Sequence, residues 1–416
     1  MSPYVLALFS FAVFLIAVLL PPQVYSHYVG EPDYIFLDFQ AVLLFVICAG
    51  SFLLPIYLID MLFPTQVIRD RDLQTTISKV AFLSIPLLVL TVFCLLAIIF
   101  LLRENPNLML GFQTLGGEDI KERAEMRTPL GLSSYYLLGI FWWATWRADQ
   151  MKLTKAQKRL VTAERYLALL ALMLHATLKV ARGELLPIVI GTAVIVVIRK
   201  AVRKELTAKY IVRASLLTAV LIIGIVVLFT YLRGESHPDR IAGHIMAYSL
   251  GSYNRLSAVI DGRMSYPLAG HGYYLFTFLS INNMLNAFIP FRDILSVHTW
   301  LDIRSSEFAA CARAGLNGNS MWASAFGYIF AELGWAAPLY TCLQGFLCGL
   351  CWWAIKKGNV FGIVIYPLWV FCIMFWVGVN FFFDVLGTAL FTGAVGLYAY
   401  EWLLTKREIE ARVQVA

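Results

Sequence analysis

Apolar positions in this chain gather into long runs separated by short polar loops, rather than recurring at the spacing of a half-buried helix or strand. A helix needs roughly 20 mostly apolar residues to cross the hydrocarbon core of a bilayer. By that measure spans are expected near residues 3–22, 36–58, 80–102, 134–150, 166–182, 184–199, 212–232, 322–354, 360–381 and 383–404. The eighth run is long and carries Gly327, Gly334 and Pro338, so a tilted span, a broken one, or one preceded by a surface helix is expected there. The first run, Tyr4 to Leu20, lacks a basic leader and a small-residue cleavage site and reads as a retained span. The expected fold is all-α and polytopic: a single integral membrane domain over 1–416, with about ten transmembrane helices.

Composition agrees with this picture. Of 416 residues, 60% are hydrophobic and 14% charged, against about half and a quarter in soluble domains. The net charge of +7 would suit nucleic acid. Its distribution excludes that partner, because the cations lie in short loops between apolar runs. Arg69, Arg71, Lys79, Arg147, Lys152, Lys155, Arg199, Lys200, Arg203, Lys356, Lys357 and Lys406 fall on one side, which the positive-inside rule assigns to the cytoplasm. Both termini are then inside. Three segments face out: the short 23–35, the medium 103–133 and the large, partly helical 233–321, late in the chain.

Six of the seven cysteines lie inside hydrophobic runs, where a thiol behaves as a small apolar group. Cys348 and Cys351 form a CxxC without a second ligand pair, and Cys311 alone sits in a loop, so no metal or redox cofactor is expected.

The segment 233–321 carries Arg233, Arg240, Arg255, Arg263, Arg292, Arg304 and Arg313 but no lysine, and 103–133 adds Arg103, Arg123 and Arg127. A planar guanidinium suits phosphate or carboxylate. Two readings stand side by side: anion binding at the membrane surface, or ordinary pairing with Asp239, Asp261, Asp293, Asp302 and Glu307. The apolar stretches Ile245–Ile260 and Tyr273–Phe291 suit interfacial or re-entrant helices. Tyr248 and its aromatic neighbours either anchor at the headgroup level or stack on sugar rings.

Three local patterns carry a family resemblance. The hairpin KVARGELL (Lys179 to Leu186) is similar to an SRG-plus-apolar turn, with Ala181 in place of serine. Arg240 followed by ten residues and Gly251 matches an Arg-x10-Gly spacing in a periplasmic loop. In the 103–133 region, Arg127 and Gly139 miss that spacing by one residue. Asn317 to Gly334, NGNSMWASAFGYIFAELG, is similar to the Asn…FG…G approach to the helix after the long loop, with Glu332 near a frequent aspartate. With the span count and the late outer segment, the chain resembles the O-antigen polymerase (Wzy) family, GT-C-like integral membrane glycosyltransferases.

That resemblance implies a bacterial inner-membrane enzyme with a periplasmic working face. Its substrates are oligosaccharide repeat units on undecaprenyl pyrophosphate, both held in membrane lipid, and its product is a surface polysaccharide such as O-antigen. A chain-length regulator and a flippase are the protein partners implied. Arginines around the departing pyrophosphate would stabilise its growing charge without a metal. Arg182, Arg240 and Arg255 are the first candidates, then Arg123 and Arg127. For the base that deprotonates the attacking hydroxyl, His244 comes first, four residues after Arg240, then Glu307 and His298. Asn319, Glu332 and Tyr248 are candidates for the sugars. The alternatives are an O-antigen ligase, which shares donor and leaving group, and a lipid-linked oligosaccharide flippase.

Overall fold

The computed structural model describes residues 2–31, 39–63, 80–104, 129–179, 182–232, 249–275, 300–318, 322–378 and 385–415, with positions 243, 246, 247, 289, 294 and 320. Among the described residues there is helix, turn and coil but no strand. In chain order the helices are α1 (Pro3–Leu19), α2 (Phe39–Leu62), α3 (Ala81–Glu104), α4 (Ser133–Arg147), α5 (Lys155–Leu178), α6 (Arg182–Val202) and α7 (Ala208–Leu232). They continue as α8 (Gly251–Ile260), α9 (Trp300–Arg313), α10 (Ser324–Leu333), α11 (Ala337–Lys356), α12 (Val360–Met374) and α13 (Val385–Val415).

Each of the expected apolar runs holds a helix. Among the described residues, six helical stretches are long and apolar enough to cross a membrane: α2, α3, α5, α6 from Gly183, α7 to Phe229, and Ser324–Lys356. A seventh is added if α1 and the bent piece after it act as one span. The chain is a multi-pass membrane protein. Helices α4 and α12, at 15 residues each, fall short of the length a perpendicular crossing needs.

Local chemistry sets the boundaries. Ser2 accepts the Val5 amide and Pro3 opens α1 with a preset φ. Leu20, extended before Pro21, ends it. The chain then bends by 98° into Pro22–Val29. Helix α5 begins at Lys155 rather than near 166, because Thr154 and Gln157 form a reciprocal capping box and the polar turns that follow are good helix formers. The eighth run is one 33-residue helical stretch, α10 and α11 joined by a 3-10 turn at Gly334–Ala336.

The described chain divides into two compact units. The first comprises Met1–Pro64, Gly234–Leu350 and Trp369–Thr388; the second comprises Thr65–Arg233, Cys351–Leu368 and Ala389–Ala416.

In the first unit, α8 packs on α10 and both pack on α2, while α1 lies against α2 and α8. Their shared core is aromatic. Phe14 and Phe45 stack at 3.9 Å, and Tyr253 meets both edge-on, at 5.1 and 5.8 Å. Phe326 and Trp376 close the cluster at 5.0 Å from each other, an arrangement that aromatic quadrupoles favour. Helix α11 approaches α2 through Gly345 and Gly349: a Cβ on Gly345 would lie 2.0 Å from the Phe52 carbonyl oxygen, and one on Gly349 2.7 Å from Ile59. Glycines four apart give membrane helices this backbone-to-backbone contact.

In the second unit, α3 packs on α4 and α5, and α6 packs on α4, α5 and α7. Helices α4 and α6 run parallel, since Tyr135 near the start of α4 reaches Glu184 near the start of α6, and Asp149 beyond α4 meets Arg199 near the end of α6. Inside this bundle the Ser84 hydroxyl donates to the buried Glu164 carboxylate at 2.7 Å.

Candidate functional site

In the first unit the polar centre is built on α8. Every residue from Gly251 to Val259 is buried, so this helix has no solvent face and its charged side chain must be answered internally. Arg255 is fully enclosed. Its Nη2 donates to Glu31 Oε1, and neither side chain is exposed. Asn254 Nδ2 donates to Glu31 Oε2 at 2.8 Å, and the Asn317 amide to Oε1 at 3.3 Å. Asn317 Nδ2 reaches the Val29 carbonyl at 2.9 Å. Arg255 also donates to the Ala247 and Asn317 carbonyls, each at 3.4 Å. One carboxylate thus fastens the segment before residue 32, the helix α8 and the loop after α9. Both carboxylate oxygens are thereby engaged, which offsets part of the cost of burying the charge.

Against the end of α8, at Ala258 and Val259, packs a tyrosine cluster formed by Tyr266, Tyr274 and Tyr328, with Tyr266 and Tyr328 stacked at 4.6 Å. Glu307 of α9 is fully buried here. Burial first, then the Glu307 charge, drives the Tyr274 hydroxyl far above its ordinary range. Burial also raises the Cys311 thiol to about 11.

Glu332 in α10 is turned to the backbone. Its Oε2 accepts the amides of Gly270 and Gly272, each at 2.8 Å, and its Oε1 the amide of Tyr274 at 2.9 Å. Gly270 and Gly272 have φ of +84° and +78°, the left-handed region where glycine is unstrained, and this turns the successive amides toward one anion.

In the second unit the hairpin between α5 and α6 holds a second polar group. Lys179 Nζ and the Tyr135 hydroxyl, the latter at 2.8 Å, both donate to Glu184 Oε1. His175 Nδ1 stands 3.4 Å from Glu184 Oε2, with the imidazole fully buried. Arg182 is the first residue of α6. Lys179 and Glu184 answer each other.

Set against the expectations, the outcome differs residue by residue. Arg255, expected at the pyrophosphate, is enclosed on Glu31, because α8 is buried on all sides. Glu307, expected as a base on the outer face, is buried among tyrosines. Glu332, expected to orient sugar hydroxyls, has its oxygens taken by three backbone amides. Arg182, expected at the pyrophosphate, is the first residue of α6. Arg123, Arg127, Arg240, His244, Tyr248, His298 and Asn319 lie outside the described residues. Glu31, Asn254 and His175 are polar residues that the motifs do not single out, and Glu184 lies within the hairpin motif without having been assigned a role there. For Glu31 the sequence signal is one of two carboxylates, with Asp33, beside Gly30 and Pro32 in the short segment 23–35 between apolar runs. Among the described residues, no group of three or more histidine, cysteine, aspartate or glutamate side chains is placed to hold a metal ion.

No family model, curated protein or solved structure matches this chain.

Proposed function

We propose that the chain is a polysaccharide polymerase that acts on undecaprenyl-pyrophosphate-linked repeat units at the periplasmic face of a bacterial inner membrane. In this reading it crosses the membrane about ten times, counting the shorter helices α4 and α12 as spans. Both termini are cytoplasmic. The two ends of the second unit support that sidedness: Arg147, Arg199 and Arg203 cluster at one end, and the α5–α6 hairpin lies at the other.

The observation that carries the reading is Arg182 at the first position of α6, on a hairpin whose Lys179 and Glu184 are already paired. A helix start presents unpaired amides and partial positive charge, and an arginine there adds a fork that matches phosphate. In the reaction, the acceptor hydroxyl loses its proton to a base as its oxygen bonds to the donor's anomeric carbon. The bond from that carbon to the pyrophosphate oxygen breaks, and undecaprenyl pyrophosphate leaves with the electron pair. Arg182, with Arg240, Arg123 and Arg127, takes the leaving-group role. Arg255 passes to holding α8 in place. With Glu307 enclosed, His244 and then His298 are the bases of choice.

Deleting the gene and resolving the lipopolysaccharide ladder tests this function. Core carrying a single repeat unit is the expected pattern. Bare core would assign the chain to ligation, a block before the periplasm to flipping, and an unchanged ladder would remove the O-antigen reading.

A further inference from the structure

Helix α6 opens on Arg182 with a first turn that its own backbone holds poorly. Pro187 lies inside the helix, and its nitrogen carries no hydrogen, so the Gly183 carbonyl receives no amide from four residues on. The first amides of a helix have no partner within it either. Gly183 adds no side-chain contact, and a Cβ built there would meet nothing within 4 Å. Leu185 and Leu186 seat the turn by burial, a force without direction. Its direction has to come from a polar contact.

Glu184, in that same first turn, supplies it. Its Oε1 accepts the Tyr135 hydroxyl of α4 at 2.8 Å and the Lys179 ammonium at the end of α5. Its Oε2 faces His175 Nδ1 of α5 at 3.4 Å. The Lys179 ammonium also stands 5.8 Å from the centre of the Tyr135 ring, which closes the group on itself. The Lys179 and Glu184 side chains are 13% exposed and that of His175 1%. Hydrogen bonds to an ionised carboxylate are the strong ones, and more so where water is scarce. One side chain of α6 is thus tied to two other helices, α4 and α5.

We propose that Glu184 is the positioning residue for Arg182. With Tyr135, Lys179 and His175 it fixes the direction in which α6 starts, and so the place from which Arg182 meets the donor's pyrophosphate. Glu184 itself touches no substrate. Arg182 stands two residues before it in one helical turn, so a tilt of that turn carries both. A guanidinium fork gains its strength from two parallel hydrogen bonds, and a displacement of about 1 Å is enough to spoil such a contact. The inference rests on the polymerase reading, which gives Arg182 its ligand.

The test is a double-mutant cycle on the purified full-length protein in detergent, with binding of farnesyl pyrophosphate read by calorimetry. Arg182→Ala is expected to weaken binding about tenfold and Glu184→Gln about fivefold. In the Arg182→Ala background Glu184→Gln costs nothing further, because its effect passes through Arg182. Tyr135→Phe removes one tie and leaves the ion pair, which serves if Glu184→Gln fails to fold. It is expected to weaken binding about twofold in the wild type and not at all in Arg182→Ala. Ser84→Ala removes a buried hydrogen bond of the same bundle, to Glu164, and is expected to bind as wild type. Equal loss from Glu184→Gln in both backgrounds, or a matching loss in Ser84→Ala, overturns the positioning role and leaves Arg182 as a phosphate ligand. Binding that survives Arg182→Ala, or a wild type that does not bind the probe, instead removes the hairpin from the pyrophosphate. The polymerase reading of Arg182 then falls, and the role of Glu184 with it.

Discussion

Arg255 and Glu31, 224 positions apart, form an ion pair with neither side chain exposed, and the same carboxylate accepts from Asn254 and Asn317. The pair therefore joins segments that no local interaction holds together.

Removing one partner strands the other charge in a dry environment. Glu31→Ala and Arg255→Met should each lower unfolding free energy by about 3–5 kcal/mol. The double variant should lose less than the sum of the two. Thermal or denaturant unfolding of all four proteins in one detergent, set out as a double-mutant cycle, checks this. Additive losses would mean that the two side chains do not meet.

Little of that centre could be read in the sequence. The apolar runs were legible because span length is a local property, and so was the interruption at Gly334. The polar first turns of α5 were not, since hydropathy is blind to a helix that continues past its apolar part. Arg255 stood out as one of the arginines of the segment 233–321, but its partner is a carboxylate 224 positions away, and sequence spacing carries no trace of that pairing. Glu332 was legible as a carboxylate needing a partner; that the partner would be three amides of the loop near Gly270 depends on backbone geometry.

Glu332→Gln should loosen the segment 264–275. The neutral amide keeps an acceptor but loses the charge that strengthens three hydrogen bonds, each worth about 1.5–3 kcal/mol when the acceptor is ionised. Hydrogen exchange should speed up at Gly270, Gly272 and Tyr274 while the amides of α2 keep their protection. Unchanged exchange at those three positions would contradict the contact.

Close approach of α11 to α2 makes Gly345 intolerant of any side chain. Gly345→Leu should abolish accumulation of folded protein, because the obstacle is the Phe52 carbonyl rather than a flexible side chain. Gly224→Ala, where an added Cβ meets nothing within 4 Å, should accumulate as wild type. Fluorescence-detected size exclusion of membrane extracts separates the outcomes.

Cys311 should resist maleimide in the folded protein near neutral pH and react once it is unfolded. Its thiol rises from 9.0 to about 11, chiefly through burial. Because the folded state holds this proton more tightly, the associated stability is complete below pH 9 and is lost as pH climbs toward 11. Labelling of single-cysteine protein against pH, with and without denaturant, tests both halves.

Arg182→Lys should abolish long polymer at normal expression if a bidentate phosphate contact is needed, since lysine supplies charge without the fork. Full chain length in that variant would detach Arg182 from the leaving group.

The long reach of the Glu31 contact also has a meaning in time. Synthesis runs from the first residue onward, and the stretch 65–233 of the second unit is finished before Arg255 exists. At about 5–20 residues per second, 224 residues separate Glu31 from its partner, so the carboxylate waits on the order of ten to forty seconds. During that interval Glu31 depends on water or on a chaperoning surface. The first unit can close only after a nascent chain has delivered Arg255, then Asn317, to an acid made long before.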